Sequence, residues 1–280
     1  MTEVSGAVPS RAVAQNSATA IAGLWRNRRL VFALVRREVQ GRYRGSVFGV
    51  AWSAITPLFM LAIYTFVFSV VFQSRWGQGG DRIEFALILF LGMSLFNVFG
   101  EVVNRAPVLV TANSNYVKKV IFPLEVLPVV ALGTSLFHAA IAGCIWMVAM
   151  FALRGGVAWT IVLAPVYLVP LVLLTLGVSW FLAALGVFIR DIGQVVAVAV
   201  TALMFLSPIF FSIDAVPEKF QPFVKLNPLA HVVEGMRGLA FFGRTPDAFD
   251  VAGQWIVAAL VAWSGIAFFQ ATRRGFADVI

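Results

Sequence analysis

The chain has 280 residues, 60% of them hydrophobic and only 12% charged, where a soluble domain carries about a quarter charged residues. A mean hydropathy of +0.91 excludes a soluble globular protein, so the net charge of +8 has to be read against a membrane. The single cysteine, Cys144, excludes an intramolecular disulfide, and the two distant histidines, His138 and His231, form no metal-ligand pattern.

Residues 1–23 are polar and rich in small side chains, which predicts a flexible terminus without the layout of a cleaved signal peptide. From 24 to 45 the spacing predicts an amphipathic helix. Leu24, Val31, Phe32, Val35, Val39 and Tyr43 share one side, and Arg29, Arg36, Arg37, Gln40 and Arg44 the other, with Glu38 and Arg42 off the pattern. Such a helix lies in a membrane interface with its arginines toward lipid phosphates or a partner, or serves only to fix topology. Gly45 and Gly49 then let the chain turn into the bilayer.

Six apolar runs bracketed by charges follow, near 47–72, 85–104, 126–152, 160–188, 194–212 and 252–271. Each is about the length that crosses hydrocarbon, and backbone groups deprived of water make each a helix. Pro57, Pro128, Pro165, Pro170 and Pro208 fall within or at the ends of these runs, where kinks are tolerated. The expected fold is therefore an all-α integral membrane protein, with 47–271 as its six-span domain. Fourteen lysines and arginines fall on the side of the termini against seven on the other. That bias places both termini, including 272–280, in the cytoplasm and removes the case for a nucleic-acid partner. Two connections are too long for turns: 105–125 on the cytoplasmic side and 213–251 outside.

The runs carry almost no ionisable groups; Glu101 near a span end and His138 are the interior candidates. Ion-coupled transporters and proton pumps keep charge at membrane depth, so their absence argues against both. No convergent acid–base or metal cluster of the sort a membrane-bound glycosyl- or acyltransferase needs is found. No G-x-x-x-x-G-K-[ST] phosphate loop occurs either. Transport energy has to come from another subunit, through the basic helix and the 105–125 loop.

Three stretches carry a resemblance: "RREVQGRYRGSVFGVAWSAITPLF", "ANSNYVKKVIFPLEVLP" and "LNPLAHVVEGMRGLAF". In this order they resemble the permease subunits of bacterial polysaccharide-exporting ABC transporters of the ABC-2 type, which serve capsule, O-antigen and teichoic acid export. Leu124 departs from the pattern, since many relatives carry a basic residue there. The resemblance implies an interface helix on the ATPase involving Arg36, Arg37, Glu38 and Arg42. It implies a coupling element at Asn113, Ser114, Tyr116, Lys118 and Lys119. It also implies short external gate helices within 213–251 that carry Pro228, His231, Glu234 and Arg237. For Glu234 and Arg237, three apart, a plain local ion pair is the competing reading.

Aromatic side chains crowd the first and fifth runs. Tyr64, Phe66, Phe68, Phe205, Phe210 and Phe211 are the candidates for walls that stack sugar rings, although each also suits lipid contact or helix packing. The resemblance implies a homodimer, two ATPase subunits that bind the ATP and magnesium, a lipid-linked polysaccharide as substrate and a bacterial plasma-membrane location. Further envelope co-export proteins fit the same scheme. This chain itself then has no catalytic residue, metal or cofactor. The rival within the family is an exporter of small molecules or lipids, which predicts a narrower or lipid-open cavity.

Overall fold

The computed structural model describes residues 17–72, 82–117 and 122–279. Among them all regular structure is helical. The elements are α1 (Ser17–Arg26), α2 (Arg28–Arg42), α3 (Trp52–Tyr64), α4 (Arg82–Arg105), α5 (Ser114–Val117), α6 (Val126–Arg154), α7 (Pro165–Phe188), α8 (Ile192–Leu206), α9 (Gln221–Lys225), α10 (Pro228–Phe241), α11 (Ala248–Thr272) and α12 (Phe276–Val279). Five helical stretches are long and apolar enough to cross a membrane: Gly49–Val71, Ile83–Val108, Val126–Arg154, Trp159–Phe188 and Ala248–Gly275. They fall on the first four and the sixth of the expected runs.

The amphipathic segment begins earlier than expected and is two helices. α1 starts at Ser17, and Asn27 separates it from α2 with a backbone outside the helical wells. Residues 1–16 lie outside the described residues. Gly45 (φ +83°) and Gly49 (φ +52°) do turn the chain into the first span, at angles a side chain with a Cβ resists. That span ends in a π-helical stretch, Thr65–Val71.

The fifth run requires a correction. α8 has 15 residues, a length of roughly 22 Å, which is short of a hydrocarbon core of about 30 Å. It stops at Leu206 because Ser207 precedes Pro208 and adopts an extended backbone (φ −86°, ψ 145°), as the residue before proline prefers. α10 then takes over. A Cβ on Gly100, late in α4, would meet Val200 of α8 at 3.5 Å, and one on Gly92, halfway along, would meet Val233 of α10 at 3.5 Å. α8 and α10 are thus laid along successive halves of α4.

α4 is the centre of the bundle. Most of its apolar stretch is inside (78%), against 6% for Gly49–Val71, and it packs against α3, α6, α7, α8 and α10. α7 and α11 pack closely through small residues. A Cβ on Gly177 would sit 2.3 Å from the Val261 carbonyl oxygen, and one on Gly265 would sit 2.0 Å from that of Gly177. Apolar attraction between helices is weak in lipid, so such backbone-to-backbone approach is what holds them. Gly265→Ala is expected to cost about 1–3 kcal/mol by overpacking and to lower the thermal midpoint by several degrees. Gly253→Ala, with nothing within 4 Å, serves as the control and should leave it unchanged or slightly raised.

Candidate functional site

A cavity of about 620 Å³ opens between α3, α4, α6 and α8. Its walls alternate rings (Trp52, Tyr64, Phe90, Phe96) with hydroxyl and amide side chains (Ser53, Thr56, Ser94, Asn97, Asn104, Thr201). Several of these hydroxyls are held inside their own helix: Ser53 donates to the Val50 carbonyl at 2.6 Å, Ser94 to Phe90 at 2.7 Å and Thr201 to Ala197 at 2.9 Å. Their remaining lone pairs and the ring faces suit a ligand that is polar at its edges and apolar on its flat faces.

One end of the cavity is closed by charge. Arg42 Nη1 lies 2.5 Å from Glu101 Oε1 and 3.1 Å from His138 Nδ1, and His138 Nε2 lies 3.0 Å from the Tyr43 hydroxyl. A guanidinium can only donate, so Nδ1 is the lone-pair nitrogen and Nε2 carries the hydrogen that Tyr43 accepts. Burial pushes the Tyr43 hydroxyl above the ordinary tyrosine range. A turn earlier on α2, Glu38 accepts from Arg105 at 2.5 Å. Glu38 and Arg42 broke the apolar pattern because they face inward, toward charged residues of α4. Glu101 and His138 carried no such signal, since their partners stand 59 and 96 residues away in sequence.

The other residues named from the sequence are distributed as follows. Arg36 is exposed and Arg37 donates to the Tyr116 hydroxyl at 3.4 Å. Tyr116 stacks on Phe122 with centroids 4.2 Å apart, Asn113 donates to the Leu109 carbonyl at 2.8 Å, and Ser114 opens α5 half-buried. Lys118 and Lys119 lie outside the described residues. Val35 seats α2 on α6, since a Cβ on Gly133 would be 2.6 Å from a Val35 methyl. Leu124 is buried in the core and presents nothing to a partner. Tyr64 alone of the six named aromatics lines the cavity. Phe68 packs between Phe72 and Phe85, Phe205 stacks on Phe210, Phe66 is exposed, and Phe211 is half-buried.

The late motif forms a clamp. Pro228 opens α10 at its first turn, where a missing N–H costs nothing, and His231 Nε2 lies 2.7 Å from the Lys225 carbonyl oxygen, tying α9 to α10. Arg237, fully buried, bonds the Glu234 carboxylate at 2.9 Å, the Ile209 carbonyl at 2.6 Å and the Pro208 carbonyl. Asn227 donates to Ser207 Oγ at 2.8 Å. Gly92 makes room for the guanidinium, whose Nη2 would be 3.1 Å from a Cβ there. The Glu234–Arg237 pair is thus one part of a wider arrangement.

The family model for ABC-2 type transporters matches residues 29–241, a stretch that includes nearly all of α2 and the whole of α10. The chain belongs to the ABC-2 type transporter family. Among curated proteins it is similar to the O-antigen export system permease protein RfbA of Myxococcus xanthus, with 26% identity over 92% of this chain and 97% of that protein. A protein of the same name from Klebsiella pneumoniae is 25% identical over 90% and 95% of the two chains. The polysialic acid transport protein KpsM of Escherichia coli is 21% identical over 86% and 92%. This ABC-2 chain therefore matches these relatives over nearly their whole length.

Arg237→Ala leaves a carboxylate and two buried carbonyls without their donor. It is expected to destabilise the protein by about 3–5 kcal/mol, read as a lower melting midpoint in detergent, and Arg237→Lys should restore only part. At the other end, Arg42→Glu and Glu101→Arg are each expected to destabilise, whereas the double exchange should recover most of the loss. A double-mutant cycle on the melting midpoint measures that coupling.

Proposed function

We propose that this chain is the membrane-spanning subunit of an ATP-driven exporter that carries a lipid-linked cell-surface polysaccharide out of the bacterial cytoplasm. The observation that carries this reading is the near full-length similarity to permeases named for O-antigen export, joined by a protein named for polysialic acid transport. The cavity agrees with it. Rings interleaved with hydroxyl and amide groups can stack the C–H faces of sugars and bond their edges without a fixed code, which suits a repeating polymer.

A second copy of the chain completes the conduit on the open side of that cavity, where little of the first span is buried. Two ATPase subunits bind ATP and magnesium and dock on α2 and the 105–125 loop, with both termini on the same cytoplasmic side of the inner membrane. Closure of the ATPase pair draws on these surfaces. A nucleotide drives the change only through its different affinity for the two states. α2 is joined to α4 by Arg42–Glu101 and Glu38–Arg105, so displacement of α2 reaches the cavity wall. The chain performs no bond chemistry of its own, and envelope co-export proteins would join from outside.

Deleting the gene is expected to abolish the polysaccharide at the cell surface while polymer accumulates inside, with restoration by the wild-type gene. Unchanged surface polymer would overturn the reading, and loss of export of a small amphiphile instead would favour the rival exporter. Replacing Asn113, Tyr116, Lys118 and Lys119 together by alanine is expected to reduce co-purification of the ATPase by about ten-fold, the effect of roughly 1.4 kcal/mol.

A further inference from the structure

Beside the charged end of the cavity lies a second hollow, a groove of about 530 Å³ between α2, the last turn of α4, residues 109–116 and the first turns of α6. Three guanidiniums line it (Arg37, Arg42 and Arg105) against one carboxylate, Glu38. Among the described residues each arginine bonds through a single nitrogen: Arg37 Nη1 to Tyr116, Arg42 Nη1 to Glu101 and His138, and Arg105 Nη2 to Glu38. A guanidinium has five N–H donors in a fixed fork, so most of the donor capacity of all three is uncommitted. Tyr116 accepts from Arg37 and keeps its own hydrogen to donate. Leu34, Leu109, Leu127 and Val130 give the same groove an apolar lining beside these charges.

We propose that this groove binds a phosphate ester, with Arg37, Arg42 and Arg105 on the phosphate oxygens and the attached chain along the apolar wall. Paired N–H groups match phosphate oxygens two at a time. The groove stands at the end of the bundle, level with the termini of the long apolar helices, where lipid phosphates lie. Arg42 lines both this groove and the 620 Å³ cavity, so a phosphate held here sits beside the charged end of the cavity and shares that side chain with Glu101. Resting on the export reading, the inference deepens it: the groove is where the anionic head of a lipid-linked substrate is held before its glycan enters.

The test uses the full chain with its ATPase in nanodiscs of phosphatidylcholine, probed with inorganic pyrophosphate or with dioleoyl phosphatidic acid. Binding is read by native mass spectrometry. The variants Arg42→Gln/Glu101→Gln and Arg105→Gln/Glu38→Gln remove each cation with its paired acid, so neither charge of a pair is left without its partner. Controls are Arg26→Gln and Arg29→Gln, exposed residues that do not line the groove. The expected result is phosphatidic acid binding weakened about ten-fold or more in both double variants and essentially unchanged in the controls. Retention of pyrophosphate alone, with the same variant dependence, assigns the groove to a soluble phosphate and overturns the lipid-linked assignment. Equal weakening in controls and double variants would mean general surface attraction and would overturn the site. So would double variants that bind both probes normally but lose the ATPase, which would make the groove a protein contact. Failure of the wild-type complex to export polysaccharide would overturn the proposed function while leaving the binding result standing.

Discussion

Hydrocarbon offers no water to a broken backbone, and that constraint shapes this protein most where the helix between Asp191 and Ser212 gives way. Pro208 cannot continue α8, and carbonyl oxygens left unpaired in an apolar interior would each cost several kcal/mol. Arg237 answers this with two nitrogens on the Pro208 and Ile209 carbonyls and a countercharge from Glu234. The residues around it follow from that demand. Gly92 is small so the guanidinium fits, Asn227 reaches back to Ser207, and α10 occupies the half of α4 that α8 leaves bare. Thr175 and Thr134 obey the same rule, donating to carbonyls four residues earlier.

The charges that remain stand at helix ends and join elements distant in sequence. Arg154 pairs with Glu84 and reaches the Phe241 carbonyl at one end of the bundle. At the other, Arg273 binds the buried Glu125 and the Phe122 carbonyl, while Arg42 and Glu38 fasten α2 to α4. Exposed pairs of this sort add little stability singly. Their value lies in register, since together with Val35 against Gly133 they leave α2 little freedom to slide over α4 and α6.

How much of this was written in the sequence varies with distance along the chain. The long helices were legible because hydropathy and flanking charges are local properties. So was the basic amphipathic segment, although its break at Asn27 was not. The halt of α8 escaped notice because 194–212 is apolar throughout and a proline in such a run reads as a kink. Only Arg237, some thirty residues later, shows that the carbonyls beyond it need a donor. The inward-facing Glu38 and Arg42 looked like faults in a pattern for the same reason, their partners being Arg105 and Glu101. Aromatic crowding pointed to the first and fifth runs, yet Tyr64 alone reaches the cavity. Crowding records where rings are abundant, while helix rotation decides which of them face inward.

The account rests on α2, α4 and α6 moving as one body that reshapes the cavity. Spin labels in a Cys144→Ser background, at Arg36 with Asn104 and at Asn97 with Thr201, measure this by electron–electron double resonance on the complex with and without ATP. The account predicts that the α2-to-α4 distance stays fixed while the distance across the cavity changes. A shift of α2 against α4 with an unaltered cavity would contradict it.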